Sequence, residues 1–192
     1  MNDKKRERFW TIANFFSILR VLLIPLFLYL FIRQKIFEAL VVFIAASATD
    51  LLDGMAARLW HQRTKIGGLL DPAADKLLMT ASVIVLSIKS VSQPNAIPLG
   101  LTAIIISRDI AITISAYVLY KQRGQKIFPP SVWGKASTVC QMGIVLLVLL
   151  LNALQASPPF MTWLYGLTLF FTVISGIHYG LWGYRLLSHP RS

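Results

Sequence analysis

Six apolar runs, at 15–32, 38–57, 71–89, 97–119, 134–154 and 162–185, take up nearly all of a 192-residue chain. Each is close to the ~20 residues that an α-helix needs to cross a bilayer, and none alternates in the manner of a membrane strand of ~9 to 11 residues. Few folds accommodate that pattern. It predicts an all-α, polytopic membrane protein with six transmembrane helices forming one domain over 15–192. The charged lead-in at 1–14 is either a basic interfacial helix or a tail that sets topology. A hydrophobic content of 56%, with only 14% charged residues, agrees with that class and not with an ordinary soluble domain.

The net charge of +11 invites a nucleic-acid reading, but the positions of the basic residues oppose it. Lys4, Lys5, Arg6 and Arg8 precede the first run; Arg58, Arg63 and Lys65 join the second to the third; Lys121, Arg123, Lys126 and Lys135 join the fourth to the fifth; Arg185 and Arg191 close the chain. Only Arg33, Lys35 and Lys89 fall in the opposite set of joints, and Arg20, Lys76 and Arg108 lie inside runs. The positive-inside rule therefore puts both termini and the joint after the second run in the cytoplasm. Membrane lipids, not nucleic acid, are the expected partners of such a basic face. The first run carries Arg20 and Pro25 and lacks a small-residue cleavage site, so it reads as mature protein and not as a signal peptide. The single Cys140, in an apolar stretch, reads as a small buried hydrophobe.

Against this background the segment from 50 to 75 stands out, because it holds four of the eight acidic residues. Asp50 and Asp53 are one helical turn apart near the end of the second run, and Asp71 and Asp75 are one turn apart at the start of the third. Between them lie Arg58, His61, Gln62, Arg63, Thr64, Lys65 and the pair Gly67-Gly68, which read as a turn. An antiparallel hairpin would gather four carboxylates just inside the cytoplasmic surface. Each costs about 2.5 to 3.5 kcal/mol near the centre of a bilayer and less near the interface, and they repel one another. Arg58 and Lys76 supply too little compensating charge. Hard divalent ions such as Mg²⁺, Mn²⁺ or Ca²⁺ suit an all-carboxylate set. Helix capping explains Asp71, which precedes Pro72, but a helix C-terminus disfavours Asp50 and Asp53. A divalent-cation transporter also places carboxylates in a membrane.

The full spacing, Asp50-x2-Asp53-Gly54-x2-Ala57-Arg58-x8-Gly67-x3-Asp71-x3-Asp75, resembles the signature of the CDP-alcohol phosphotransferase family at every specified position. Members join a CDP-activated alcohol to an acceptor hydroxyl and release CMP. The resemblance implies a six-helix membrane enzyme, usually a homodimer, with two Mg²⁺ or Mn²⁺ ions held by Asp50, Asp53, Asp71 and Asp75. It further implies that Asp53, Gly54, Ala57, Arg58 and Gly67 bind the CDP moiety and that Asp75 deprotonates the incoming hydroxyl. A two-metal clamp of ~3.5 to 4 Å that steadies attacking and leaving oxygens is sound chemistry for this transfer.

Asn14, Ser17 and Arg20 in "NFFSILR" resemble the amino-terminal pattern of members acting on CDP-diacylglycerol. The stretches "IISRDIAITISAYVLY" and "SVWGKASTVCQ" resemble the phosphatidylglycerophosphate and cardiolipin synthases, and they offer Arg108, Asp109, Lys135, Thr138 and Gln141. Arg108 and Lys135 are the expected acceptor-binding residues. A second arginine, common in bacterial phosphatidylglycerophosphate synthases, is missing after the Arg108-Asp109 pair, while "TDLLDG", "ISRD" and "SGIHYG" resemble the eukaryotic-type cardiolipin synthases. That balance favours phosphatidylglycerol as acceptor over glycerol 3-phosphate. His178 reads either as part of a lipid-headgroup site or as a histidine satisfied between helices. With no transit sequence visible, a bacterial cytoplasmic membrane is the expected location, with the active site facing the cytoplasm.

Overall fold

The computed structural model describes the backbone of residues 12–59, 67–123 and 131–188, and side chains over 15–49, 73–115 and 131–181. Among the described residues there are six α-helices and no strand: α1 Ile12–Ile32, α2 Ile36–Leu59, α3 Gly67–Ser87, α4 Leu99–Arg123, α5 Val132–Ala153 and α6 Met161–Ser188. Each corresponds to one predicted run, with ends within about four residues of those expected. The stretch Phe15–Ile32, all of α5, and Met161–Leu181 are long and apolar enough to cross a membrane; in α2 the comparable stretch, Ile36–Thr49, is shorter. Most of the interfacial segment at 1–14 lies outside the described residues, although 12–14 already belong to α1.

The chain divides into two compact units, 1–85 and 86–192. In the first, α1 and α2 pack through Phe27, Phe31, Ala39, Leu40, Phe43 and Ala46, all buried, with the Phe27 and Phe43 rings 5.9 Å apart. Leu22, Leu26, Tyr29, Phe37, Val41 and Ile44 face outward, an apolar exterior of the kind that lipid covers. The connection between the helices is only three residues long. Lys35 N–H donates to Leu30 O, and Gln34 N–H donates to Phe31 O, with Gln34 at φ 60°: a Schellman closure whose left-handed position holds glutamine instead of the usual glycine. The same closure ends α5, where Ala156 N–H donates to Leu151 O and Gln155, at φ 52°, donates to Asn152 O.

The second unit depends more on polar contacts. Along α6, Thr168, Thr172 and Ser175 are buried at helical spacing, whereas Trp163, Leu167, Phe170, Val173, Ile177 and Leu181 are exposed. The Gln141 amide donates to Ser137 Oγ at 3.0 Å and to Thr172 Oγ1 at 3.2 Å; Ser137 also donates to Thr172, which itself donates to Thr168 O. At the opposite end, Asn152 clasps the α3–α4 connection. Its Oδ1 accepts from the Asn95 backbone N–H and Nδ2, while its own Nδ2 donates to Ser92 Oγ and Asn95 O. These bonds pair buried polar groups that would otherwise cost free energy.

Two local expectations shift. The α3 helix starts at Gly67, four residues before Asp71, so Asp71 lies inside the helix and is not its N-cap. The α2 helix continues six residues beyond Asp53, which carries both aspartates of that pair out of the last turn, where the macrodipole penalty is concentrated. The helices extend into the segment read as a turn.

Candidate active site

The aspartate set is built on α2 and on the part of α3 that belongs to the first unit. The buried residues of α2 recur at Ile36, Ala39, Leu40, Phe43 and Ala46, and continuing that three- and four-residue spacing reaches Asp50 and then Asp53. In α3 the buried Leu78, Ser82 and Val85 continue backward to Asp75 and Asp71 at the same spacing. Each pair therefore lies in register with the buried stripe of its helix and not with the apolar exterior. Asp75 is half-buried beside the fully buried Ala74. The side chains of Asp50, Asp53, Gly54, Ala57, Arg58, Gly67 and Asp71 lie outside the described residues, as does the joint containing His61. Carboxylates are hard oxygen donors, so the two pairs have the chemistry that divalent cations require.

The motif residues of α1 point the same way. Ser17 and Arg20 are fully buried, and Arg20 Nε donates to Thr49 Oγ1 at 3.4 Å, while that hydroxyl donates to Ala46 O at 2.6 Å. Thr49 is the residue before Asp50. A buried guanidinium is thus anchored one residue from the first aspartate, which gives Arg20 a place in the packing of α1 on α2 that its motif position alone did not reveal.

The predicted acceptor residues fall in the second unit. Arg108, on the inward side of α4, has a side chain 10% exposed; one terminal nitrogen donates to Asp109 Oδ1 at 2.7 Å and the other to the buried Ser175 Oγ at 2.6 Å. Its guanidinium carbon lies 5.9 Å from the centroid of the Tyr179 ring. The same ring packs against the start of α5. There Ser131 caps the helix by accepting from Gly134 N–H at 2.9 Å, and its own N–H donates to Tyr179 Oη at 3.0 Å. Lys135, the next residue after Gly134, is exposed. Tyr179 therefore touches both the Arg108 guanidinium and the first turn of α5, the turn that also carries Lys135. Sequence reasoning missed Ser131, Ser175 and Tyr179; the only signal was their polar character at helical spacing along the inward side of an apolar helix, or just before one.

The other candidates separate. Thr138 turns its hydroxyl onto Gly134 O of its own helix, and Gln141 belongs to the α5–α6 network. His178 is exposed, edge-on to Tyr179, and not enclosed between helices.

Among the described residues the architecture is all-helical, with three helices long and apolar enough to cross a membrane and, in the second unit, an arginine-centred polar cluster. The particular family follows from sequence comparison. The pattern of the CDP-alcohol phosphatidyltransferase family matches residues 10–174, and the chain belongs to that family. It is 42% identical to the human cardiolipin synthase (CMP-forming) over 117 residues, 60% of this chain but 37% of the human protein. It is 33% identical over 185 residues to the CDP-diacylglycerol–glycerol-3-phosphate 3-phosphatidyltransferase of Pseudomonas fluorescens, covering 94% of this chain and 89% of that protein. The enzyme of the same name from Haemophilus influenzae is 36% identical over 137 residues, 69% of this chain and 72% of the other.

Proposed function

We propose that this chain transfers a phosphatidyl group from CDP-diacylglycerol to a glycerol-lineage hydroxyl, with release of CMP. Supporting this most strongly is the register of Asp50 and Asp53 on α2, and of Asp71 and Asp75 on α3, with the buried stripes of those helices. Charged groups placed inward in so apolar a chain need a polyvalent partner. Asp50, Asp53, Asp71 and Asp75 would hold two Mg²⁺ or Mn²⁺ ions, which supply charge neutralisation on the diphosphate when bound. Asp53, Gly54, Ala57, Arg58 and Gly67 bind the CDP moiety, the small residues leaving room for it close to the backbone. Asp75 accepts the proton of the attacking acceptor hydroxyl. That oxygen bonds to the phosphorus of the phosphatidyl group, the bond to the CMP oxygen breaks, and CMP leaves.

Arg108 and Lys135 hold the acceptor's phosphate. The acceptor is phosphatidylglycerol, which makes the product cardiolipin. The Arg108 charge is already offset by Asp109 at 2.7 Å, which suits the single charge of a phosphodiester better than the double charge of a phosphomonoester. The protein crosses the membrane six times with both termini and the active site on the cytoplasmic side, in a bacterial inner membrane, and works as a homodimer. An acceptor screen tests the assignment: purified protein with CDP-diacylglycerol and Mn²⁺ receives phosphatidylglycerol or glycerol 3-phosphate, and products are weighed by mass spectrometry. Cardiolipin is the expected product. Phosphatidylglycerophosphate alone would overturn the choice of acceptor and leave the donor half standing.

A further inference from the structure

We infer that Tyr179 is a positioning residue that fixes Arg108 and the first turn of α5, with Lys135, in one geometry for the acceptor's phosphate; the inference rests on the acceptor assignment above. Three contacts meet on this one side chain. Its ring lies under the Arg108 guanidinium at 5.9 Å, its phenolic oxygen accepts the Ser131 N–H at 3.0 Å, and Gly134 presses against its edge. A methyl group at Gly134 would sit 2.8 Å from Tyr179 Oη and 2.9 Å from Cε2, so glycine is required for the ring to approach.

The contacts have different consequences. Asp109 and Ser175 each fix one end of the guanidinium plane, and both lie on α4 or α6. Neither reaches α5. Tyr179 also touches the start of α5, where Lys135 donates its N–H to Ser131 O at 3.0 Å within the first turn. Shifting the phenol would move the cap and, with it, the distance between two cations meant to share one phosphate. Recognition of a phosphate by two separated cations depends steeply on that distance.

The test uses the full chain in detergent, with the KM for whichever acceptor the wild type uses, the KM for CDP-diacylglycerol, kcat and thermal unfolding all measured. Tyr179→Phe keeps the ring and removes the hydrogen bond; it should raise the acceptor KM about fivefold to tenfold while the donor KM and kcat stay within about twofold. Gly134→Ala should reproduce that split. Asn95→Ala, in the clasp near Asn152, serves as a destabilised comparator and should lower the unfolding temperature without moving the acceptor KM. An acceptor KM unchanged in both Tyr179→Phe and Gly134→Ala, while Arg108→Leu raises it, would overturn the positioning role alone. If Arg108→Leu leaves the acceptor KM unchanged, the acceptor assignment falls and takes this inference with it. Equal changes in donor and acceptor KM would reduce Tyr179 to a merely structural residue.

Discussion

In the first unit the α1–α2 interface closes on rings and small apolar side chains, Phe27, Phe31, Phe43, Ala39 and Ala46, whereas α5 and α6 in the second meet through Ser137, Gln141, Thr168 and Thr172. The difference reflects what each unit must hold. Apolar residues gain little hydrophobic advantage over lipid, so packing detail and hydrogen bonds decide how membrane helices register. The first unit buries Arg20 in the α1–α2 interface, keeps the aspartate pairs in register with the buried stripes, and packs the interface largely with rings and small apolar side chains. The second distributes hydroxyls and amides along the helices that carry the Arg108 cluster, where directional bonds fix one arrangement.

The largest effect that separates the units is chemical. Asp75→Asn should cut turnover by about 10² to 10⁴-fold while CDP-diacylglycerol binding survives, whereas Asp50→Asn should weaken metal-dependent binding itself, both followed by CMP release and by equilibrium binding of the donor. Equal loss of binding in the two variants would remove Asp75 from the role of base. Next comes stability. Phe43→Ala should destabilise the protein by about 3 kcal/mol through lost packing, and Gln141→Leu by about 0.6 to 1.7 kcal/mol through lost interhelical hydrogen bonds. Chemical denaturation in mixed micelles measures both, and a reversed order would break the contrast between the interfaces. The smallest change sharpens it: Gln34→Gly and Gln155→Gly should each stabilise by up to about 1 kcal/mol, because both replace a left-handed non-glycine residue in the same closure. A gain at only one would show that the two closures differ in strain.

The six helices were legible because each apolar run is long and the joints are short. Helix ends were less so. The pair Gly67-Gly68 reads as a turn by composition, yet it opens α3, and the tight closures at Gln34 and Gln155 carry no glycine to announce them. The aspartates drew notice as a candidate set because four charges at fixed spacing stand out in so apolar a chain. Arg108 and Lys135 could be named from resemblance, but the contact of Tyr179 with Arg108 and with the start of α5 could not, since Tyr179 lies 71 residues from Arg108 and meets it only through tertiary packing.

Metal-dependent release of CMP tests the central claim most directly. The purified full chain, given CDP-diacylglycerol with phosphatidylglycerol or glycerol 3-phosphate, should release CMP in Mg²⁺ or Mn²⁺, and chelation should stop it. No CMP with either acceptor, together with divalent-cation flux through proteoliposomes in the absence of nucleotide, would contradict the account and make the aspartates part of a transport path.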